Sequence, residues 1–282
     1  MNLITSLDEI AEGYDALLCD VWGVIHNGKQ AFAAACAALQ RFRARGKRVV
    51  LLTNIPKPRG PIPRQLERLG VPSDAWDVIV TSGDAIRAEL AARAPGPMYK
   101  IGPEYDRVLW EGLGLAESAL QEARFIGISG LNRDDETPED YAEILRIARK
   151  RDLELLSANP DIVVRFGDKL VWCAGAIARD YAAIGGRVVM AGKPYTPIYD
   201  LAYRELGTIV GVAPRKHRIL AIGDGVGTDI AGANAQGLDS LFIASGMHGE
   251  ALWSGGVLDL DKVGAALLEA GQHAPYVARE LA

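Results

Sequence analysis

The chain has 282 residues, 49% of them hydrophobic and 24% charged, with a formal net charge of -5. This is enough for one large domain or two moderate ones, in the proportions of a soluble globular protein. The acidic balance gives no general attraction to nucleic acid or anionic membranes, and no apolar run approaches the roughly 18 residues of a membrane span. The Lys/Arg clusters from Arg41 to Arg48 and from Arg146 to Arg151 read as solvated faces of amphipathic helices. Cys19, Cys36 and Cys173 are widely spaced and odd in number, which suits a reducing compartment. With an N-terminus that lacks signal-peptide character, they predict a cytoplasmic protein with neither a nucleic-acid nor a membrane partner.

Short apolar runs alternate with Ala-rich amphipathic stretches, the pattern of βαβ units around a parallel sheet. A strand from Ala16 to Cys19 ends at Asp20 and is followed by a helix from Ala31 to Arg45, stopped by Gly46. A strand from Arg48 to Leu52, a helix from Pro63 to Leu69 and a strand from Val78 to Val80 come next, and Thr81-Ser82-Gly83-Asp84 then offers a cap before a helix from Ala85 to Ala92. The break Ala94-Pro95-Gly96-Pro97 marks a boundary or hinge. Beyond it lie strands at Met98–Ile101, Phe125–Ile128, Leu153–Ser157 and Leu170–Cys173, with helices at Pro138–Arg149 and Gly175–Ile184. The Gly185-Gly186 region reads as a second hinge. Three further core strands, Val188–Met190, Ile219–Ile222 and Ser240–Ile243, alternate with helices at Pro197–Leu206 and Asp229–Ala235. The predicted fold class is α/β: a doubly wound parallel core, residues 1–94 and 187–282, carrying an inserted α/β unit over 95–186.

Four separated segments end predicted strands with groups suited to phosphate. They are Asp20; Thr53-Asn54; Gly192-Lys193-Pro194; and Gly223-Asp224-Gly225-Val226-Gly227-Thr228-Asp229, a Gly-rich loop leading into a helix. A doubly wound sheet brings such strand ends to one edge. Phosphoryl transfer to an aspartate needs a carboxylate nucleophile and neutralisation of charge. Mg²⁺ suits a pair of carboxylates that shares the site with a substrate phosphate. Asp20 and Asp224 are the best side-chain ligands, Lys193 would neutralise both aspartate and phosphate, and Thr53 would donate to a phosphate oxygen. Asp229 reads equally well as a support of the metal site or as a helix cap.

These motifs, in this order, resemble the haloacid dehalogenase superfamily of phosphatases. The long segment between Asn54 and Lys193 resembles the NagD-like subfamily IIA, which carries a C2-type α/β cap between the second and third motifs. Asp20-Val21-Trp22-Gly23-Val24-Ile25-His26-Asn27-Gly28, Thr81-Ser82, Ala158-Asn159-Pro160-Asp161 and the Lys193 and Asp224/Asp229 motifs carry the likeness, from about Asp15 to Ser245. The resemblance implies a Mg²⁺-dependent hydrolase of a small phosphorylated metabolite, such as a sugar phosphate. It makes Asp20 the nucleophile and Thr53, Asn54 and Lys193 the phosphate binders. Asp224 becomes the metal carboxylate, supported by Asp229, and Trp22 a metal ligand through its backbone carbonyl. It turns Asn159 and Asp161 toward the site as selectors of substrate, although Asn159-Pro160-Asp161 also reads as a plain turn. It also admits a homodimer.

The departure is at position 22, where the family has a second acid that protonates the leaving group and then activates water. Trp has only an N–H donor. Losing general acid–base catalysis removes about 10²- to 10⁴-fold of rate. The chain is therefore expected to favour substrates with good leaving groups and to accumulate its phospho-aspartate. The alternative is a phospho-ligand binding or sensor protein. His26, six residues after Asp20, could replace the lost acid, but nothing local aims it at the site. A Rossmann-type cofactor enzyme is disfavoured because no Gly-x-Gly-x-x-Gly follows the first strand.

Overall fold

A computed structural model describes residues 1–282 apart from 167, 168, 214 and 248. In chain order the strands are β1 (Asn2–Leu3), β2 (Ala16–Cys19), β3 (Arg48–Thr53), β4 (Val78–Thr81), β5 (Met98–Ile101), β6 (Phe125–Ile128), β7 (Glu154–Ser157), β8 (Val163–Phe166), β9 (Lys169–Trp172), β10 (Arg187–Met190), β11 (Ile219–Gly223), β12 (Asp239–Ile243), β13 (Trp253–Ser254), β14 (Val257–Leu258) and β15 (Tyr276–Ala278). The larger sheet runs β1-β15-β12-β11-β2-β3-β4, with every pair parallel. The smaller runs β10-β7-β6-β5 and is also parallel. β8 and β9 form a separate antiparallel hairpin.

Ala-Leu-Leu-Cys in β2 and Ile-Leu-Ala-Ile-Gly in β11 are buried throughout, as expected of central parallel strands covered on both faces. The helix Ala33–Ala44 brings Leu39 and Phe42 to one face, and the helix Thr196–Val210 brings Ile198, Tyr199 and Leu206 to the other. From β2 the chain winds outward through β3 and β4, and from β11 it winds the opposite way through β12 and β15. The crevice at the carboxyl ends of β3, β2 and β11 is therefore where an open α/β sheet takes a ligand. The helix Ser82–Ala91 starts three residues earlier than expected, because Thr81, the first residue of the capping segment, is the cap: its Oγ1 accepts from the Asp84 N–H at 2.9 Å. Its Ile86 and Leu90 pack with Met98, Phe125 and Leu156 of the smaller sheet, so one apolar cluster joins the two layers.

One strand lies in a different sheet from the one expected. Arg187–Met190 pairs in parallel with β7 and not with the large sheet. The preceding helix ends at Ala183, leaving residues 184–186 as the whole connection. So short a link returns the chain beside the strand its helix covers, the usual outcome of a βαβ unit. Gly185 and Gly186 thus lie within the smaller layer, and Val188 to Met190 are half-buried, as suits its edge. The crossing back to the large sheet is the segment from Ala191 to Tyr195, which contains Lys193.

Asp77 ties the edge of the large sheet together. Its carboxylate accepts from the Val49 N–H at 2.8 Å and from Arg43 Nε and Nη2 at 3.0 and 2.8 Å, and its side chain is 7% exposed. Burial pushes this carboxyl up, but the Arg43 and Val49 hydrogen bonds and the charges of Arg43 and Arg48 outweigh it and hold it below the usual carboxylate range. A depressed acid stabilises the fold above its unfolded pKa, roughly 3.9, and loses that contribution as pH falls through the folded value. Asp77→Ala is expected to cost about 1–3 kcal/mol at pH 7 in urea unfolding, seen as a lower midpoint at unchanged slope. The difference from the wild type should shrink as the pH is lowered below 4; a constant difference would show that the contribution is not electrostatic.

Candidate active site

Asp20 follows β2 directly, and its backbone N–H donates to Ile222 O at 2.8 Å, which fixes the turn against β11. Thr53 is the last residue of β3, and Asp224 follows the last residue of β11. Three neighbouring strands thus deliver a carboxylate, a hydroxyl and a second carboxylate to one edge. The crossing segment supplies the cation. Lys193 Nζ lies 2.5 Å from Asp20 Oδ1 and 2.8 Å from Asp229 Oδ1, and all three side chains are buried. Asn54 fixes this lysine by its backbone: Lys193 N–H donates to Asn54 Oδ1 at 2.7 Å, and Asn54 Nδ2 donates to Lys193 O at 3.1 Å. The same Nδ2 donates to Asp161 Oδ1 at 2.8 Å.

Asp229 sits in a π-type turn, Val226–Ile230, that precedes the helix Ala231–Gln236. Its Oδ2 accepts from the Gly225 N–H at 3.1 Å, so it caps its own loop while Oδ1 faces Lys193. The two readings of Asp229 are compatible in this geometry. Asp224 Oδ2 accepts from the Met247 N–H at 2.6 Å. Two glycines make room for it: Gly23, with φ +83°, and Gly246 would each carry a Cβ within about 2.1 Å of that oxygen.

Asp20, Asp224 and Asp229 can each offer an oxygen within 4.8 Å of the other two. Burial, followed by the neighbouring carboxylates, pushes Asp224 well above the usual range, and Asp20 is raised by burial and by Asp229 against the opposing pull of Lys193. Lys193 goes the other way. Burial disfavours its charge, but Asp20, Asp229 and Asp161 outweigh that and keep it firmly protonated. Asp161 is pushed up to about 6 by burial, only partly offset by Lys193 and Asn54. Four acids around one lysine leave a surplus of negative charge, and hard oxygen donors in that surplus suit a divalent cation.

Asp20, Trp22, Thr53, Asn54, Asp161, Lys193, Asp224 and Asp229 all line one cavity. Asn159 does not: its Oδ1 accepts from the Asp161 N–H at 3.0 Å and so shapes the turn that presents Asp161. Trp22 reaches across to β8. Its Nε1–H donates to the Arg165 carbonyl at 2.7 Å, and its ring meets Phe166 at 5.8 Å and His26 at 5.2 Å between centroids. His26 is buried and does not line the cavity; burial pulls its imidazole down to about 4, and its Nδ1 accepts from the Gly28 N–H at 3.1 Å. It is a neutral packing residue, and the idea that it replaces the acid is corrected accordingly. His248 lies outside the described residues.

Sequence reasoning missed the strand β8, whose Val164 and Arg165 also line the cavity, along with Asn27, Phe32 and Ser245 to Met247. The signal for β8 was present. Ile162-Val163-Val164 and Leu170-Val171-Trp172 are two apolar, β-branched runs five residues apart, with a Gly between them, the spacing of a hairpin. No local signal marks the others, which are loop residues that the sheet edge gathers.

Residues 17–116 match the family model of haloacid dehalogenase-like hydrolases, and residues 190–270 match a second, HAD-hydrolase-like model. The crystal structure of a haloacid dehalogenase-like family hydrolase from Brucella suis 1330 is 43% identical, with a TM-score of 0.89, covering 99% of this chain and 100% of its own. The 5'-nucleotidase YutF of Bacillus subtilis is 28% identical over 240 residues, 83% of this chain and 88% of that one. D-glycerol 3-phosphate phosphatase of Mycobacterium tuberculosis is 26% identical over 257 residues, 86% of this chain and 66% of that one.

The crowding of acids has a consequence for stability. In chelator-treated protein at pH 7, Asp224→Asn removes an acid that is ionised in the unfolded chain but whose charge the folded site disfavours, while keeping an acceptor for the Met247 N–H. Its Tm is expected to rise by about 2–4 °C, equivalent to about 1 kcal/mol for a chain of this size. A lower Tm would mean that the three carboxylates do not repel one another as their spacing implies.

Proposed function

The chain belongs to the haloacid dehalogenase-like hydrolases, and on that premise we propose that it is a Mg²⁺-dependent phosphohydrolase of a small phosphorylated metabolite, a sugar phosphate or related phosphomonoester. The observation that carries this reading is the buried Asp20–Lys193–Asp229 bridge at the carboxyl edge of the sheet. The curated relatives point the same way, since a 5'-nucleotidase and a glycerol 3-phosphate phosphatase both act on small phosphomonoesters by name. Three unpaired buried cysteines and a chain with no helix, among the described residues, long and apolar enough to cross a membrane agree with a cytoplasmic setting.

Asp20 acts as nucleophile. A carboxylate oxygen bonds to phosphorus, the bond to the leaving-group oxygen breaks, and an aspartyl-phosphate results. Water then bonds to phosphorus, the Asp20 oxygen departs as carboxylate, and inorganic phosphate leaves. Lys193 favours the anionic form of Asp20 and offers positive charge to the phosphoryl oxygens, Thr53 donates its hydroxyl, and Asn54 keeps the lysine in place. Asp20, Asp224 and the Trp22 backbone carbonyl would hold Mg²⁺, with Asp229 supporting. Mg²⁺ would supply charge neutralisation for the phosphoryl group. The donor set fits: oxygen ligands only, and more acid than the single lysine balances.

At position 22 no proton can be passed to the leaving group. The indole N–H is already donated to the Arg165 carbonyl. Esters whose leaving groups depart as stable anions should be the better substrates, and hydrolysis of the aspartyl-phosphate should limit turnover. The same observation favours the second reading, a phospho-ligand binding protein that retains the pocket with negligible turnover.

A screen of phosphorylated metabolites with Mg²⁺, using Asp20→Asn as the blank, tests the reaction. The wild type should release phosphate and Asp20→Asn should not, and acid-quenched wild type should carry covalent phosphate that the variant lacks. p-Nitrophenyl phosphate should be turned over faster than a sugar phosphate by about 10²-fold or more, the scale of a missing general acid. Equal rates with no trapped intermediate would sink the slow-acid reading. Binding without any phosphate release would favour the sensor.

A further inference from the structure

One charge in the cavity has no task in the reaction just described. Arg165 lines the cavity from β8, yet its guanidinium makes no hydrogen bond or ion pair among the described residues, and its Nε is buried without a partner. Keeping a charged N–H from both water and protein acceptors is unfavourable, so such a group is normally paired. The acids that line the same cavity are otherwise engaged. Asp20 and Asp229 hold Lys193, Asp224 accepts from Met247, and Asp161 accepts from Asn54.

The backbone that carries Arg165 is fixed on two sides. Its carbonyl accepts from the Trp22 indole at 2.7 Å, and it pairs with Leu170 in the β8–β9 ladder. Its neighbour Phe166 packs on the Trp22 ring. The guanidinium therefore stands on a held strand with unspent donors, across from the sheet edge that offers Asp20, Thr53, Asn54 and Lys193. A planar fork of this kind matches a carboxylate or phosphate.

We propose that Arg165 recognises a second anionic group on the substrate, a carboxylate or a further phosphate, distinct from the phosphoryl group that is transferred. The substrate class is thus a phosphomonoester of an acidic small molecule and not of a neutral polyol. This rests on the phosphohydrolase reading and narrows its substrate. Trp22 serves the same end, because it fixes the strand from which Arg165 projects.

The test compares four phosphomonoesters with Mg²⁺: phosphoglycolate, propane-1,3-diol bisphosphate, glycerol 3-phosphate and p-nitrophenyl phosphate. Wild-type kcat/KM should be at least about tenfold higher for the carboxylate or bisphosphate ester than for glycerol 3-phosphate, a gap carried by KM, and the better of the two identifies the second anion. Arg165→Ala should lower kcat/KM for that ester at least about tenfold more than for p-nitrophenyl phosphate, with Arg165→Lys intermediate. Tm values check that both variants fold, and the lysine variant alone carries the comparison if the alanine one does not. Equal wild-type values for charged and neutral esters overturn the proposal, as does an equal loss on all four in the variants, which would place Arg165 on the transferred phosphate or in the fold. No turnover of any ester, p-nitrophenyl phosphate included, overturns the phosphohydrolase reading itself and the proposal with it.

Discussion

The bridge from Lys193 to Asp20 and Asp229 is the interaction on which the rest of the site depends. Three acids brought within 4.8 Å of one another would repel strongly in a buried setting. A single cation, placed by a pair of hydrogen bonds from Asn54, makes the cluster tolerable. The architecture can be read outward from it. The larger sheet aligns β3, β2 and β11 so that their ends meet, the glycines at 23 and 246 admit Asp224, and the crossing segment brings the lysine. Such an arrangement costs stability, because one lysine does not balance the carboxylates gathered around it.

Position in the chain explains what the sequence could and could not reveal. The strands that carry Asp20 and Asp224 were legible because central parallel strands are uninterrupted apolar runs, and a Gly-rich loop after such a run has few other uses. A helix cap within Thr81-Ser82-Gly83-Asp84 was legible because capping is local chemistry, although the helix starts at Ser82 and not at Ala85. β10 was misplaced because a half-buried Val-Val-Met reads alike in either sheet; the three-residue link before it, which decides the matter, is a topological constraint and not a pattern. Arg165 escaped notice for a related reason. A lone arginine in a strand normally faces water, and only the hydrogen bond from Trp22 shows that this strand closes on the site.

Asn159 gives a further lesson about inference from likeness. The motif Asn159-Pro160-Asp161 was expected to present two residues to the substrate. Only Asp161 lines the cavity, because the Asn159 side chain accepts from the Asp161 N–H and finds its partner locally. For Asn159 the plain turn describes the geometry, since its side chain is spent on the Asp161 N–H.

The contact between Trp22 and β8 changes what kind of trait position 22 is. An acid there would be an independent part, exchangeable on its own. An indole that donates to Arg165 and stacks near Phe166 is shared property of two segments 143 residues apart in sequence. Residues in direct contact do not contribute additively. Putting an acid at 22 would therefore also unfasten the hairpin, because the indole donor to the Arg165 carbonyl would be lost. The two segments have to be altered as a pair if the contact between them is to survive.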